Sequence, residues 1–328
     1  MTDTDKTILV TGGTGSLGTA LASVLKERGA QVRIFSRDKS KQEKMRLNYP
    51  TFNYIQGDIT DPHALTNALR GCNYVIHTAA MKDVKGCEEN PLEAIKVNVH
   101  STQMLLEACE KAGVGKIVLV SSDKAVLPSG AMGMTKALME KCAIAYKPHN
   151  LAITIVRLGN LLGSAGTVLP IFINLAKQGK VLTVTDPAMS RFLMTPQSSA
   201  NYIMDALEKS QGNSIVLQKV QSYTLESLAR AVIELYHPTA KSDPSSAITI
   251  TGAAAGEKLY ETMATTNELQ KGRAMGTGYI EIPFANTMQP KQTPNQLRYN
   301  SEYNSQTTGK ATVAELQKII IQYETRQL

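Results

Sequence analysis

Short apolar runs alternate with amphipathic stretches through the first half of the chain. Thr7–Val10, Val32–Phe35, Asn53–Ile55, Tyr74–Ile76, Ile117–Val120 and Ile153–Val156 are compact runs dominated by Val, Ile, Leu or an aromatic residue. Between them lie patterns with helical spacing, such as Leu21 to Arg28 and Thr102 to Ala112. This alternation predicts an α/β fold: a Rossmann-type doubly wound parallel sheet with helices on both faces. Gly29 and Gly113 fall just past two of the helical patterns, where a left-handed cap is expected.

The pattern changes after Asn160. Polar, proline-containing segments appear at Thr183 to Thr195 and Asn286 to Asn300, which predicts a smaller, looser second lobe. A strand at Ser214 to Leu217 and a helix at Thr224 to Tyr236 are expected to return to the sheet. A last helix is expected at Thr312 to Tyr323, with Val313, Leu316, Ile319 and Ile320 on one face. The boundaries expected are therefore 1–160 for the Rossmann domain, with 196–245 returning to it, and 161–195 plus 246–328 for the C-terminal lobe and extension.

The chain has 328 residues, 42% hydrophobic and 19% charged, which suits an ordinary globular protein. No apolar run approaches the ~20 residues of a membrane helix. The N-terminus shows no secretory pattern, so a cytoplasmic location without membrane attachment is expected. Cys72, Cys87, Cys109 and Cys142 form no CxxC pair, so neither a metal site nor a disulfide framework is expected, and all four read as small apolar packing residues. The net charge of +7 is carried by scattered Lys and Arg without interleaved aromatics, so a nucleic-acid partner is not expected.

The first strand runs into Thr11-Gly12-Gly13-Thr14-Gly15-Ser16-Leu17-Gly18, and a helical pattern follows. In this context the glycines permit a tight turn and close backbone approach, and the helix N-terminus offers N–H groups to a pyrophosphate. Residues 1–160 are thus expected to bind a dinucleotide. The second strand ends at Ser36-Arg37-Asp38. An arginine at this tip suits a ribose 2′-phosphate and a carboxylate suits a free 2′-hydroxyl. Ser36, Arg37 and Lys41 therefore favour NADP, while Asp38 keeps NAD as the alternative. Asp58, after the third strand, is placed to meet the adenine or else to cap the helix starting near Pro62.

The segment Lys116 to Lys141 looks like the catalytic segment of a short-chain dehydrogenase. Lys136 lies on an expected helix. Met132 stands four residues earlier, where such enzymes usually carry a tyrosine. A thioether has no proton to exchange, so Met132 cannot replace a phenol. Ser122, Asp123 and Lys124 sit just past a strand end, where open α/β sheets place ligands. Protonated Asp123 could give a proton to a leaving hydroxyl, and neutral Lys124 could take one from carbon beside a ketone. A desolvated pocket with cationic neighbours is expected to lower the lysine pKa. An ordinary polar turn is the competing reading of the same three residues.

Taken in order, TGGTGSLG at 11–18, FSRDKSKQ at 35–42, HTAAMKDV at 77–84, ENPLEAIKVNV at 89–99, SSDKAV at 121–126, MGMTK at 132–136, VRLGNLLGS at 156–164, DPAMSRFLMT at 186–195, GEKLYE at 256–261 and TVAELQKII at 312–320 resemble the UDP-N-acetylglucosamine 4,6-dehydratases. These form the polysaccharide-biosynthesis branch of the extended short-chain dehydrogenases, and some members carry methionine in place of the tyrosine. The resemblance implies C4 oxidation by NADP, removal of H5 by Lys124, protonation of the departing C6 hydroxyl by Asp123, and hydride return to C6. Asp123, Lys124 or a water held by Ser122 could then take the C4 hydroxyl proton. It also implies cofactor contacts at Gly12, Thr14, Gly15, Ser16, Leu17, Gly18, Asp58, Ile59, Thr78, Ala79, Ala80, Lys82, Asn98 and Lys136. Lys82, Asn160, Arg191 and Lys258 are the implied substrate contacts, the substrate being a nucleotide sugar, and a homo-oligomer (dimer or hexamer) is implied as well.

The sequence departs from that branch at Ala165, and at Ala254 and Ala255, where an arginine and an Arg-Pro pair are usual. A charge-assisted phosphate bond contributes roughly 1.5–3 kcal/mol, so the nucleotide or sugar could differ. An epimerase on the same fold and a non-catalytic NADP-binding sensor are the alternatives.

Overall fold

The structure, a computed structural model, describes residues 5–164, 167–253, 257–284 and 300–325. Its centre is a parallel sheet of six strands, β1 (Thr7–Thr11), β2 (Gln31–Ser36), β3 (Asn53–Gln56), β4 (Tyr74–His77), β5 (Lys116–Ser122) and β6 (Ala152–Leu158). Their spatial order is β3-β2-β1-β4-β5-β6. Strand Ser214–Gln218 pairs in parallel with β6, and Tyr279–Pro283 and Arg273–Ala274 follow as antiparallel edge strands. The strands match the expected runs with ends extended by a residue or two.

Both faces of the sheet are covered, which explains why its strands read as continuous apolar runs rather than alternating ones. Leu9, Val75, Ile117, Leu119 and Ile153 point into one core with Leu65, Leu69, Leu105 and Leu106. Their chain neighbours Ile8, Val10, Ile76, Val118 and Val120 point into the other, with Leu21, Leu25, Tyr202 and Ile203. Gly29 and Gly113 have φ of 72° and 73°, the left-handed caps expected after the helices Ser16–Glu27 and Ser101–Lys111.

The second lobe has its own core, in which the helices Val168–Lys177, Leu225–Tyr236 and Val313–Thr325 share Phe172, Leu228, Val232, Leu316 and Ile320. The helix expected at Thr224 to Tyr236 therefore does not return to the sheet. Its apolar face closes the second lobe, and Pro196–Lys209 flanks the sheet instead, burying Tyr202 and Ile203. Thr224 is its N-cap, accepting from Ser227 N. Of the cysteines, Cys72, Cys87 and Cys109 are buried and Cys142 is partly exposed, since it lies on the outer side of its helix. The stretch expected to be loose at Asn286 to Asn300 falls, apart from Asn300, outside the described residues. Among those described, no helix is long and apolar enough to cross a membrane.

Candidate active site

The strand order reverses between β1 and β4, and the crevice outside their carboxyl ends is where open α/β sheets bind ligands. The glycine loop occupies it. Gly12 has φ of 67°, and a Cβ there would meet Ala79 N at 2.7 Å, so only glycine lets this turn approach the strand beside it. A Cβ on Gly18 would meet Gly13 Cα, C and O within 2.5 Å, so this glycine seats the helix on the loop. Gly15 is the N-cap of Ser16–Glu27 and makes no side-chain cap, leaving the N–H groups of that first turn for a ligand. Thr14 and Leu17 lie on the same turn. Thr78 Oγ1 donates to Thr11 O at 2.7 Å and ties β4's exit to β1, with Ala79 and Ala80 following.

At the β2 tip the side chains divide their work. Ser36 Oγ accepts from Gln42 Nε2 at 3.0 Å and is buried. Asp38 caps the helix Lys39–Asn48, accepting from Lys41 N at 3.0 Å, with Lys41 Nζ 3.3 Å away. Arg37 is exposed and lies 3.6 Å from Asp58. Asp58 accepts from both Thr60 N and Thr60 Oγ1 at 2.8 Å. The helix at Pro62 is capped by Asp61, not by Asp58, because only Asp61 directly precedes it. Ile59 is buried in the core.

Asn98 stands in a π-helical turn, Lys96–His100, and is buried. Its amide accepts from Met81 N at 2.8 Å and donates to Met81 O at 3.0 Å and Thr135 Oγ1 at 2.9 Å. The side chain thus staples the loop carrying exposed Lys82 to the helix Ala131–Ala145, and both its amide hydrogens are engaged within the protein.

Ser122, Asp123 and Lys124 form a tight turn at the end of β5. Asp123 is fully buried. Its Oδ1 accepts from Ser122 Oγ at 2.8 Å and from Lys124 Nζ at 3.2 Å, while Oδ2 has no hydrogen-bond partner among the described residues. Lys124 Nζ also contacts Asn160 Oδ1 at 2.8 Å and Glu261 Oε1 at 3.1 Å. Three oxygens match the three donors of an ammonium group. Burial opposes this charge, but Asp123 and Glu261 outweigh burial and the cationic Arg191, so the Lys124 pKa stands above that of a free lysine. The expectation of a lowered lysine pKa is corrected here: Asp123 beside it in the chain and Glu261, distant in sequence, together stabilise its charge.

Met132 packs with Cys87 and Ala94 in a small apolar cluster. One turn on, Lys136 Nζ donates to Val120 O at 2.9 Å, and burial pushes this group down to about 8 against the opposing pull of Glu140. Burial pushes the phenol of Tyr223 up to about 12, against the opposing pull of Arg191. Arg191 is buried, donating to Ser190 O at 2.8 Å. Lys258 donates to Val126 O at 3.0 Å and lies 3.9 Å from Glu261 Oε2. Arg191, Lys258 and Asn160 are thus gathered around Lys124 and Glu261, whereas Lys82 stays exposed on the loop after β4. Ala165, Ala254 and Ala255 lie outside the described residues.

Two residues that pattern reading passed over matter here. Glu261 lay inside the quoted motif GEKLYE, but nothing in its spacing points at Lys124. Gly133 is the other: a Cβ on it would meet Lys124 O at 2.4 Å, so the helix can lie against the Asp123–Lys124 turn only without one.

The strand order, the bare glycine turn at a helix N-terminus and the buried Lys136 on the helix that follows β5 define a dinucleotide-binding fold of the extended short-chain dehydrogenase type. The chain belongs to the polysaccharide biosynthesis protein family, whose model matches residues 8–282. A relative in Rickettsia conorii named UDP-glucose 4-epimerase is 40% identical over 291 residues, covering 85% of this chain and 83% of the relative. The solved structure of Pen from Bacillus thuringiensis superposes with a TM-score of 0.86 at 29% identity, covering 99% of each chain. DesIV from Streptomyces venezuelae, a dTDP-glucose 4,6-dehydratase solved with NAD and TYD bound, gives 0.69 at 22% identity, over 77% of this chain and 86% of DesIV, a likeness of fold.

Proposed function

We propose that this protein is a nicotinamide-dependent enzyme acting on nucleotide sugars, and specifically a 4,6-dehydratase taking a UDP-N-acetylhexosamine with NADP. The observation that carries the reading is the Asp123–Lys124 pair at the end of β5, with Asp123 Oδ2 buried and without a hydrogen-bond partner among the described residues and Lys124 beside it. Simple 4-epimerisation needs no acid for a leaving hydroxyl and no base at C5; elimination of water needs both.

The residues present suit the cofactor. Gly12, Gly15 and Ser16 would take the pyrophosphate, Lys136 the nicotinamide ribose, and Arg37, exposed while Asp38 is spent on its helix cap, a 2′-phosphate. Bound there, the nicotinamide supplies hydride acceptance from C4 and its return at C6. Asp123 Oδ2 takes the C4 hydroxyl proton in this reading and gives it to the C6 hydroxyl as water leaves. This moves one proton within one site and accounts for the dispensable phenol at position 132. Lys124, once neutral, takes H5 from the carbon beside the ketone, and the ammonium so formed gives a proton back to C5 as hydride returns at C6, which restores the neutral amine.

The test is incubation of the purified protein with UDP-N-acetylglucosamine and related nucleotide sugars, read by NMR and mass spectrometry. The expected product is a 4-keto-6-deoxy sugar lighter by one water, lost in Asp123→Asn, with no net reduced cofactor. The name of the Rickettsia relative favours 4-epimerisation as the second reading. A product of unchanged mass inverted at C4 would select it. Cofactor binding without turnover of any substrate would select a sensor.

A further inference from the structure

Glu261 precedes the strand Thr262–Ala264, whose Met263 and Ala264 pack into one core of the sheet, and is 5% exposed at its side chain. Its backbone is fixed from two sides: Glu261 N donates to Ser305 Oγ at 3.0 Å, and Ser305 N donates to Glu261 O at 2.8 Å. Ser305 Oγ in turn donates to Ser190 O at 2.9 Å, the carbonyl that also accepts from Arg191. The same seryl bridge therefore holds Glu261 and Arg191, of opposite charge, at the rim of the catalytic turn. One carboxylate oxygen of Glu261 faces Lys124 Nζ at 3.1 Å. The other is buried, has no hydrogen-bond partner among the described residues, and lies 3.9 Å from Lys258 Nζ.

We propose that Glu261 is a positioning residue for Lys124, through which a segment distant in sequence sets both the place and the charge of the catalytic amine. Asp123 and Asn160 reach Lys124 from the Rossmann domain. Glu261 supplies the third oxygen, without which the ammonium would have one donor unmatched. The charged groups facing Lys124 are Asp123 from its own turn and Glu261 and Arg191 from segments distant in sequence, with Lys258 behind Glu261. Removing the Glu261 charge leaves Asp123 alone against Arg191, which makes Lys124 easier to neutralise. A role of this kind in turnover rests on the dehydratase reading, because only there must Lys124 become a base.

The experiment titrates Lys124 directly in the full chain, using lysine labelled with 13C at Cε and identifying its resonance by its loss in Lys124→Arg. Glu261→Gln is expected to lower the Lys124 midpoint by about one pH unit or more, the usual effect of losing an adjacent opposite charge. Glu261→Asp, with its carboxylate drawn back, should lower it by less. If Glu261→Gln does not fold, Glu261→Asp carries the test, with a shift in the same direction. An unchanged midpoint in either folded variant overturns the inference. Product formation in the same samples decides the dehydratase reading separately. If wild type yields the dehydrated product, the acidic limb of its rate should move with the Lys124 midpoint in the variants, and a uniform loss of rate without such movement also overturns the inference. If wild type yields none, the dehydratase reading falls and the titration alone decides the hold of Glu261 on Lys124.

Discussion

Gly133 packs so closely on Lys124 that a methyl group in place of its hydrogen would lie 2.4 Å from the Lys124 carbonyl oxygen. Backbone lies on both sides of that contact, so neither partner can swing away. Gly133→Ala should push the helix off the turn that carries Asp123 and Lys124. We expect a stability loss of about 1–3 kcal/mol from overpacking and a turnover loss of about tenfold or more from misplaced side chains. Thermal unfolding and product formation, measured on the same preparation, check both.

Met132 is buried among Cys87, Ala94 and their neighbours, and its work is packing. Met132→Leu, which nearly conserves volume, should cost less than about 1.5 kcal/mol and leave turnover close to wild type. Met132→Ala should cost about 2–5 kcal/mol through the cavity it opens. A collapse of activity in a folded Met132→Leu variant would show that the thioether itself takes part.

Lys136 gives a pH dependence of definite sign. Burial lowers it from 10.5 in a free side chain to about 8. Between those values the unfolded chain holds a proton at this position that the folded chain has released, so stability rises with pH through that window. Below about pH 8 both states are protonated and the burial cost, a few kcal/mol at most, is present in full. Lys136→Met should lose this rise, so its stability relative to wild type is greatest near neutrality and declines above about pH 8. Denaturant unfolding at a series of pH values, without cofactor, reads the difference.

Arg37 offers a test of which form of the cofactor binds. If it meets a 2′-phosphate, Arg37→Glu should weaken NADP binding about 10–100-fold, the equivalent of one charge-assisted bond, and leave NAD binding within a fewfold of wild type. Titration of both dinucleotides by calorimetry distinguishes this from a site that reads the ribose through Asp38, where Asp38→Ala would weaken NAD instead.

Much of this protein could be read along the chain because its determinants are local. The Val- and Ile-rich runs are strands buried on both faces, Gly12 to Gly18 form a turn that few other residues can adopt, and Gly29 and Gly113 end helices at the residues expected. Asp123 and Lys124 were legible too, since a strand end places its next residues at the crevice whatever lies beyond it. What the chain order could not supply was the company these residues keep. The helix Leu225–Tyr236 has the amphipathic pattern of a sheet-covering helix, but which apolar surface it covers depends on Val168–Lys177 and Val313–Thr325 being near. The charge of Lys124 is the clearest case. A base at this position calls for a lowered pKa; folding brings Glu261 and Asn160 within hydrogen-bonding distance, and the carboxylates of Asp123 and Glu261 raise it instead. A side chain's identity and its place at a strand end follow from sequence, whereas its proton affinity is set by charges a few ångströms away in space, and only the tertiary structure decides which those are.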